Sequence, residues 1–143
     1  MYRITAGFVL MMALGGCLHD PLAPAERLSF YRAHAGRPVE GFAYARNMRW
    51  IALGDHALAV WTRRNEGYLI DLRVLCSGLE EAMSIQIHHV NGQVTAGGSS
   101  VRVLSMSGSA PISRPQCPIM LIRPLDAEAM RNAPPPSDSR SIE

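Results

Sequence analysis

Met48-Arg49-Trp50-Ile51-Ala52-Leu53-Gly54-Asp55-His56-Ala57-Leu58-Ala59-Val60-Trp61-Thr62 reads as two β-type runs folded about a turn. Residues 48–53 and 57–62 are rich in aromatic and aliphatic side chains, and Gly54-Asp55-His56 supplies residues that permit a reversal. Arg63-Arg64-Asn65-Glu66 then makes a polar turn into a run at 68–72, where Tyr68, Ile70 and Leu72 alternate with Leu69 and Asp71. Alternation of this kind predicts one buried face and one partly solvated face. Strands joined this way form a meander, and the fold is read as mainly β.

The same signal continues toward the C-terminus. Residues 84–90 place Ile85 and Ile87 on one face and Gln86 and His88 on the other, and Asn91-Gly92 is the strongest hairpin signal in the chain. Both residues tolerate the positive φ of a tight turn, so 93–96 is expected to pair back on 84–90. Runs at 101–104 and 119–123 complete about seven strands, separated by a Ser-, Gly- and Pro-rich loop at 105–116. After Cys76, Ser77-Gly78-Leu79-Glu80 matches a capping box and predicts a short helix to about Met83. Residues 132–143, with Pro134-Pro135-Pro136, bury too little apolar surface to fold and are expected to be a disordered tail.

Upstream of the hairpin, Pro24 suits the first turn of a helix, Glu26 favours its positive end, and Leu28, Tyr31 and Ala35 recur at helical spacing. Gly36 and Pro38 stop it. The expected fold class is therefore α+β, mainly β. One N-terminal helix, with Leu28 and Tyr31 inward, packs on an antiparallel sheet or partly closed barrel.

The first residues are of another kind. Arg3 precedes an uncharged apolar run of 11 residues, Ile4 to Leu14, and then Gly15 and Gly16. A bilayer-spanning helix needs about 20 apolar residues, so this run is too short to span and reads as a processed leader. Leu14-Gly15-Gly16-Cys17 resembles the lipobox of bacterial lipoprotein signal peptides. That resemblance implies removal of residues 1–16, a lipid on the Cys17 thiol, and acylation of its new amine. It also implies a tether at 17–23 and a single β-rich domain at 24–131. Leu18, where such proteins carry Asp for inner-membrane retention, favours the outer membrane, facing the periplasm. More than one acyl chain makes such an anchor stable.

With Cys17 taken by lipid, Cys76 and Cys117 remain as the one intramolecular pair in an oxidising compartment, and a disulfide is expected. The alternative is two separate buried thiols. No Cys-x-x-Cys motif points to redox activity.

All 14 basic residues are Arg, against 12 acidic residues. Without residues 1–16 the chain keeps 127 residues and a net charge of +1, enough for one domain and no footprint for nucleic acid.

Trp50, Leu53, Asp55 and Leu58, then Tyr68-Leu69, Cys76, Leu79, Ala82 and Ile85, and finally Cys117, Ile119, Ile122 and Leu125 form a pattern of apolar positions around two cysteines. It resembles a family of bacterial exported domains known as domain of unknown function 6491. Where that pattern often carries an acid before the strand at Val101, this chain has Gly97-Gly98-Ser99-Ser100. The resemblance implies a fold and a compartment, and no activity.

Candidate chemistry is sparse. His88 and His89 are neighbours on a strand and point to opposite faces, which does not suit one metal. Asp55 with His56, or His89, could serve a periplasmic hydrolase or metal-dependent enzyme, yet Asp in a hairpin turn ordinarily stabilises backbone. No serine lies in Gly-x-Ser-x-Gly, and Gly97-Gly98-Ser99-Ser100 lacks the Lys and helix of a phosphate loop. Trp50, Trp61 and Tyr68 form either an aromatic binding face or core. Arg63-Arg64 could meet lipid headgroups or phosphate-bearing glycans, or simply be solvated. The sequence thus supports a lipid-anchored envelope protein of unknown activity, acting as a non-catalytic binding or structural module. Its partners would be the membrane, through the N-terminal lipid, and an envelope protein or peptidoglycan. Nothing in the sequence implies a cofactor or metal.

Overall fold

A computed structural model of the chain describes residues 24–106, 114–133 and the strand pair 140–141. In chain order the elements are α1 (Pro24–Ala33), β1 (Gly41–Ala43), β2 (Arg49–Ala52), β3 (Ala57–Arg63), β4 (Glu66–Leu72), β5 (Ala82–His88), β6 (Gln93–Thr95), β7 (Ser100–Met106), β8 (Cys117–Leu125), α2 (Ala127–Asn132) and β9 (Arg140–Ser141). The expected leader, Cys17 and the tether 17–23 lie outside the described residues.

The main sheet is antiparallel, with the order β5-β7-β8-β4-β3-β2-β9, and β1 with β6 forms a separate two-stranded sheet. The β2–β3 hairpin, toward one edge of this sheet, is as expected. Arg49 faces Trp61 and Ala52 faces Leu58 across β2 and β3, with Gly54 at φ +95 in the turn. The sheet curls until β5, at one edge, lies against β9 at the other. It is a curled antiparallel sheet.

Curling divides the side chains into two cores. Trp50, Leu58, Val60, Ile70 and Leu72 turn inward and meet Ile85, Ile87, Val101, Val103, Ile119 and Ile122. The alternate residues Ile51, Leu53, Ala57, Ala59 and Leu69 turn outward, where Tyr31 of α1 and Met130 of α2 cover them. Ala57 and Ala59 are small, and let the helical layer approach the sheet at close-packed distance. The central strands are therefore buried on both faces. This corrects the expectation of a partly solvated face on β4. Asp71 is only 7 % exposed, and its carboxylate is held by Arg32 (3.3 Å) and Arg123 (3.0 Å).

β8 holds the design together through its two edges. It pairs with β7 only at Pro118 and Cys117, then with β4 from Ile119 to Leu125. Beyond that point the edge β7 leaves is taken by the chain after α1, where the Gly36 and Val39 N–H groups donate to the Pro124 and Ile122 carbonyls, each at 2.8 Å. Buried backbone groups are thereby satisfied.

Three further expectations need correction. The helix after Cys76 does not form, because Gly78 takes φ +82 and the Glu80 N–H donates to Asp55 Oδ1 (3.1 Å). Two successive turns stand there instead, with Leu79 N–H donating to Cys76 O and Ala82 N–H to Leu79 O. Asn91 and Gly92 do make the tight turn, at φ 52 and 74, but 93–95 pairs with β1 rather than β5, apart from one bridge between Val90 and Gln93. The segment expected to be a disordered tail contributes Asn132 to α2 and Arg140–Ser141 to the edge of β2. Ala133 follows α2 as its C-cap, and the rest of the segment lies outside the described residues. The second helix is α2, whose start is capped by Asp126 accepting from the Ala129 N–H (3.0 Å).

Tyr31 is 2 % exposed, and its phenol pKa is pushed up to about 12 by burial, with the Arg27 and Arg49 charges pulling the other way. Ionisation is resisted only in the folded state, so the folded chain holds this proton more tightly than the unfolded one. The stability contributed by this group is complete below pH 10 and is lost, about 3 kcal/mol in all, as the pH rises to about 12. Denaturation midpoints measured across that window should fall steeply for the natural chain and less for Tyr31→Phe.

Candidate functional site

The aromatic residues singled out by sequence do not share a face. Trp50 is 0 % exposed in the inner core, Tyr68 stacks on Phe42 at 4.4 Å on the same inner side, and Trp61 lies on the outer face, partly exposed. Trp50 and Tyr68 are packing residues. The Tyr68 hydroxyl donates to Glu66 (3.0 Å), and its pKa is raised first by burial and then by that carboxylate.

Asp55, His56 and His89 are likewise kept apart in role and place. The Asp55 carboxylate accepts from the Glu80 N–H just before β5, and its carbonyl accepts from the Cys76 N–H. His56 is exposed, with its carbonyl accepting from the Leu72 N–H. His89 follows the far end of β5, roughly 20 Å of strand away, and stacks on Tyr44 at 4.1 Å. The enzyme reading gains no convergent pair from this arrangement. Among the described residues no group of three or more His, Cys, Asp or Glu side chains is placed to hold a metal ion.

Cys76 and Cys117 form a disulfide, with Cα atoms 5.7 Å apart. It joins the turn after β4 to the start of β8 inside the inner core. Among the described residues no helix is long and apolar enough to cross a membrane.

A different group of residues does converge. Asn47, Arg49, Trp61, Thr62, Arg63 and Arg64 wall an open depression of about 420 Å³ at the β3–β4 turn. Its construction follows from register. Arg49 and Trp61 are direct partners on β2 and β3, so their side chains leave the same face of the sheet. A register shift between Trp61 and Arg63 then re-aims the end of β3. Gly67 lies across β4 from Trp61, and a Cβ there would collide with the indole ring. The ring is therefore packed directly against Gly67. Asn47, at φ 63, turns the chain into β2.

Chemically this is a cationic pocket with one aromatic wall. Asp71 is paired with Arg32 and Arg123, whereas Arg49, Arg63 and Arg64 make no ion pair with a carboxylate among the described residues. Arg63-Arg64 was visible in the sequence. Arg49 and Asn47 were not, although the centring of the hairpin on Asp55 would have placed Arg49 opposite Trp61. Two other depressions carry less chemistry. The one beside His34 and Asp126 has His34 Nδ1 2.7 Å from the Phe30 carbonyl and Asp126 capping α2. The other, at Pro38, Val39, Glu40, Thr95 and Ala96, has Glu40 as its one charge.

A family model described as a family of unknown function, DUF6491, matches residues 1–139. The chain belongs to DUF6491. The resemblance read from Trp50 to Leu125 is thereby confirmed at the level of family, and in this DUF6491 chain those positions are core and disulfide residues, apart from Asp55 in the β2–β3 turn and the half-buried Tyr68. No curated protein and no solved structure matches it.

Proposed function

We propose that this DUF6491 chain is a lipid-anchored protein of the bacterial cell envelope, held at the outer membrane and facing the periplasm. Its β domain acts as a non-catalytic binding or structural module. The observation that carries this reading is Leu14-Gly15-Gly16-Cys17 directly after the short apolar run. The Cys76–Cys117 disulfide supports it, because such bonds persist in oxidising compartments. An envelope protein or peptidoglycan is the partner class, and the lipid on Cys17 keeps the module within a short tether of the membrane.

Expressed in a bacterium that processes lipoproteins, the natural chain should partition into the detergent phase. Cys17→Ala should leave an unprocessed or soluble chain. Unchanged detergent-phase partitioning and processing of Cys17→Ala would contradict the anchor.

A further inference from the structure

The charge of this domain is unevenly placed. A net charge of +1 after residue 16 conceals three exposed arginines, Arg49, Arg63 and Arg64, that line one depression and make no ion pair with a carboxylate among the described residues. The acid nearest in sequence, Glu66, accepts from the Tyr68 hydroxyl instead. Like charges brought together repel, and a bound anion relieves that cost.

The shape of the donors narrows the class of anion. A guanidinium presents a planar fork of N–H groups that pairs with two oxygens at once. Three such forks carried on one depression, one from β2 and two from the β3–β4 turn, suit an anion with several oxygens in a tetrahedral array, as in a phosphate ester, better than a single flat carboxylate. The Trp61 ring, seated on Gly67, adds a rigid apolar wall beside the charges. Such a wall suits the C–H faces of a glycerol or sugar attached to the phosphate. The Asn47 and Thr62 side groups add polar atoms at the rim, although the Thr62 hydroxyl already donates to the Glu66 carbonyl (3.3 Å). The depression is open, so the rest of a larger ligand stays outside it.

We propose that the depression walled by Trp61, Arg49, Arg63 and Arg64 binds a phosphate ester carried on a glycerol or sugar. A phospholipid headgroup and a free phosphorylated polyol share that chemistry. The inference goes beyond the anchored-module reading and does not depend on acylation of Cys17, so each can fail alone.

Trp61 reports on the site directly, since the other tryptophan, Trp50, is buried in the inner core. The full chain, purified in non-ionic detergent micelles, is titrated with glycerol 3-phosphate and with inorganic phosphate at ionic strength held constant by chloride. It is also titrated with mixed micelles containing phosphatidylglycerol or phosphatidylcholine. A saturable change in tryptophan emission is expected with at least one phosphate monoester or with phosphatidylglycerol. It should be lost in Trp61→Phe, and its midpoint should be weakened at least about tenfold in Arg63→Gln/Arg64→Gln. Both exposed arginines lie outside the two cores, so the double variant should melt at the temperature of the natural chain. Saturation by glycerol 3-phosphate assigns the site to soluble phosphate esters, and saturation by phosphatidylglycerol micelles alone assigns it to lipid headgroups. A response matched by chloride or phosphatidylcholine, one that survives Trp61→Phe, one unchanged in Arg63→Gln/Arg64→Gln, or no response at all overturns the proposal.

Discussion

Cys76→Ser/Cys117→Ser is expected to lower the stability of the fold by about 4 kcal/mol, a large share of the roughly 5–15 kcal/mol that holds a domain folded. The bridge spans a sequence separation of 41 and closes off the segment containing β5, β6 and β7. Without it the unfolded chain regains the freedom of that whole loop, and the two serine hydroxyls left in the inner core add a burial cost in the folded state. Urea denaturation of the natural chain with and without reductant, beside the double variant, gives the number. Alkylation after reduction should add two groups, one each at Cys76 and Cys117. A loss below about 1 kcal/mol would mean that the hydrogen bonds around the bridge, Cys76 N–H to Asp55 O and Arg73 N–H to Pro118 O, restrain the same segment without it.

Trp50→Ala is expected to cost about 3–5 kcal/mol, the range for deleting a large aromatic side chain from a packed core. Trp50 is 0 % exposed and faces Val60 on the inner side of the curl, so its removal leaves a cavity that the sheet cannot close without breaking the β2–β3 register. Trp61 is one strand away but on the outer face and partly exposed, and Trp61→Ala should cost about 1–2 kcal/mol. Comparing the two by thermal or urea denaturation tests the assignment of alternate residues to two separate cores. Equal losses would contradict it.

What could be read from sequence was local. Gly54 between two apolar runs sufficed to place the β2–β3 hairpin, and helical spacing of Leu28 and Tyr31 sufficed to place α1 and its inward face. What escaped were the effects of distant partners on local signals. Ser77-Gly78-Leu79-Glu80 carries the letters of a helix start, but Asp55, 25 residues earlier in the chain than Glu80, takes the Glu80 N–H, and Gly78 uses a backbone region closed to a helix. Asn91-Gly92 specifies a turn and not the strand that follows it, and 93–95 goes to Gly41–Ala43, too short a run to register as a strand alone. Asp71 looked solvated because Arg32 and Arg123, which neutralise it, come from α1 and β8. The arginine depression was half legible for the same reason. Arg63-Arg64 is contiguous in sequence, while Arg49 joins it only through cross-strand register.

Location has the most direct test of all. Intact-mass analysis of the chain extracted from bacterial membranes with detergent should show a species that lacks residues 1–16, begins at Cys17, and carries the added mass of lipid on its thiol and an acyl group on its amine. Recovery of the full 143-residue chain, or of a chain beginning at Cys17 or elsewhere without lipid, would contradict the anchored-module reading.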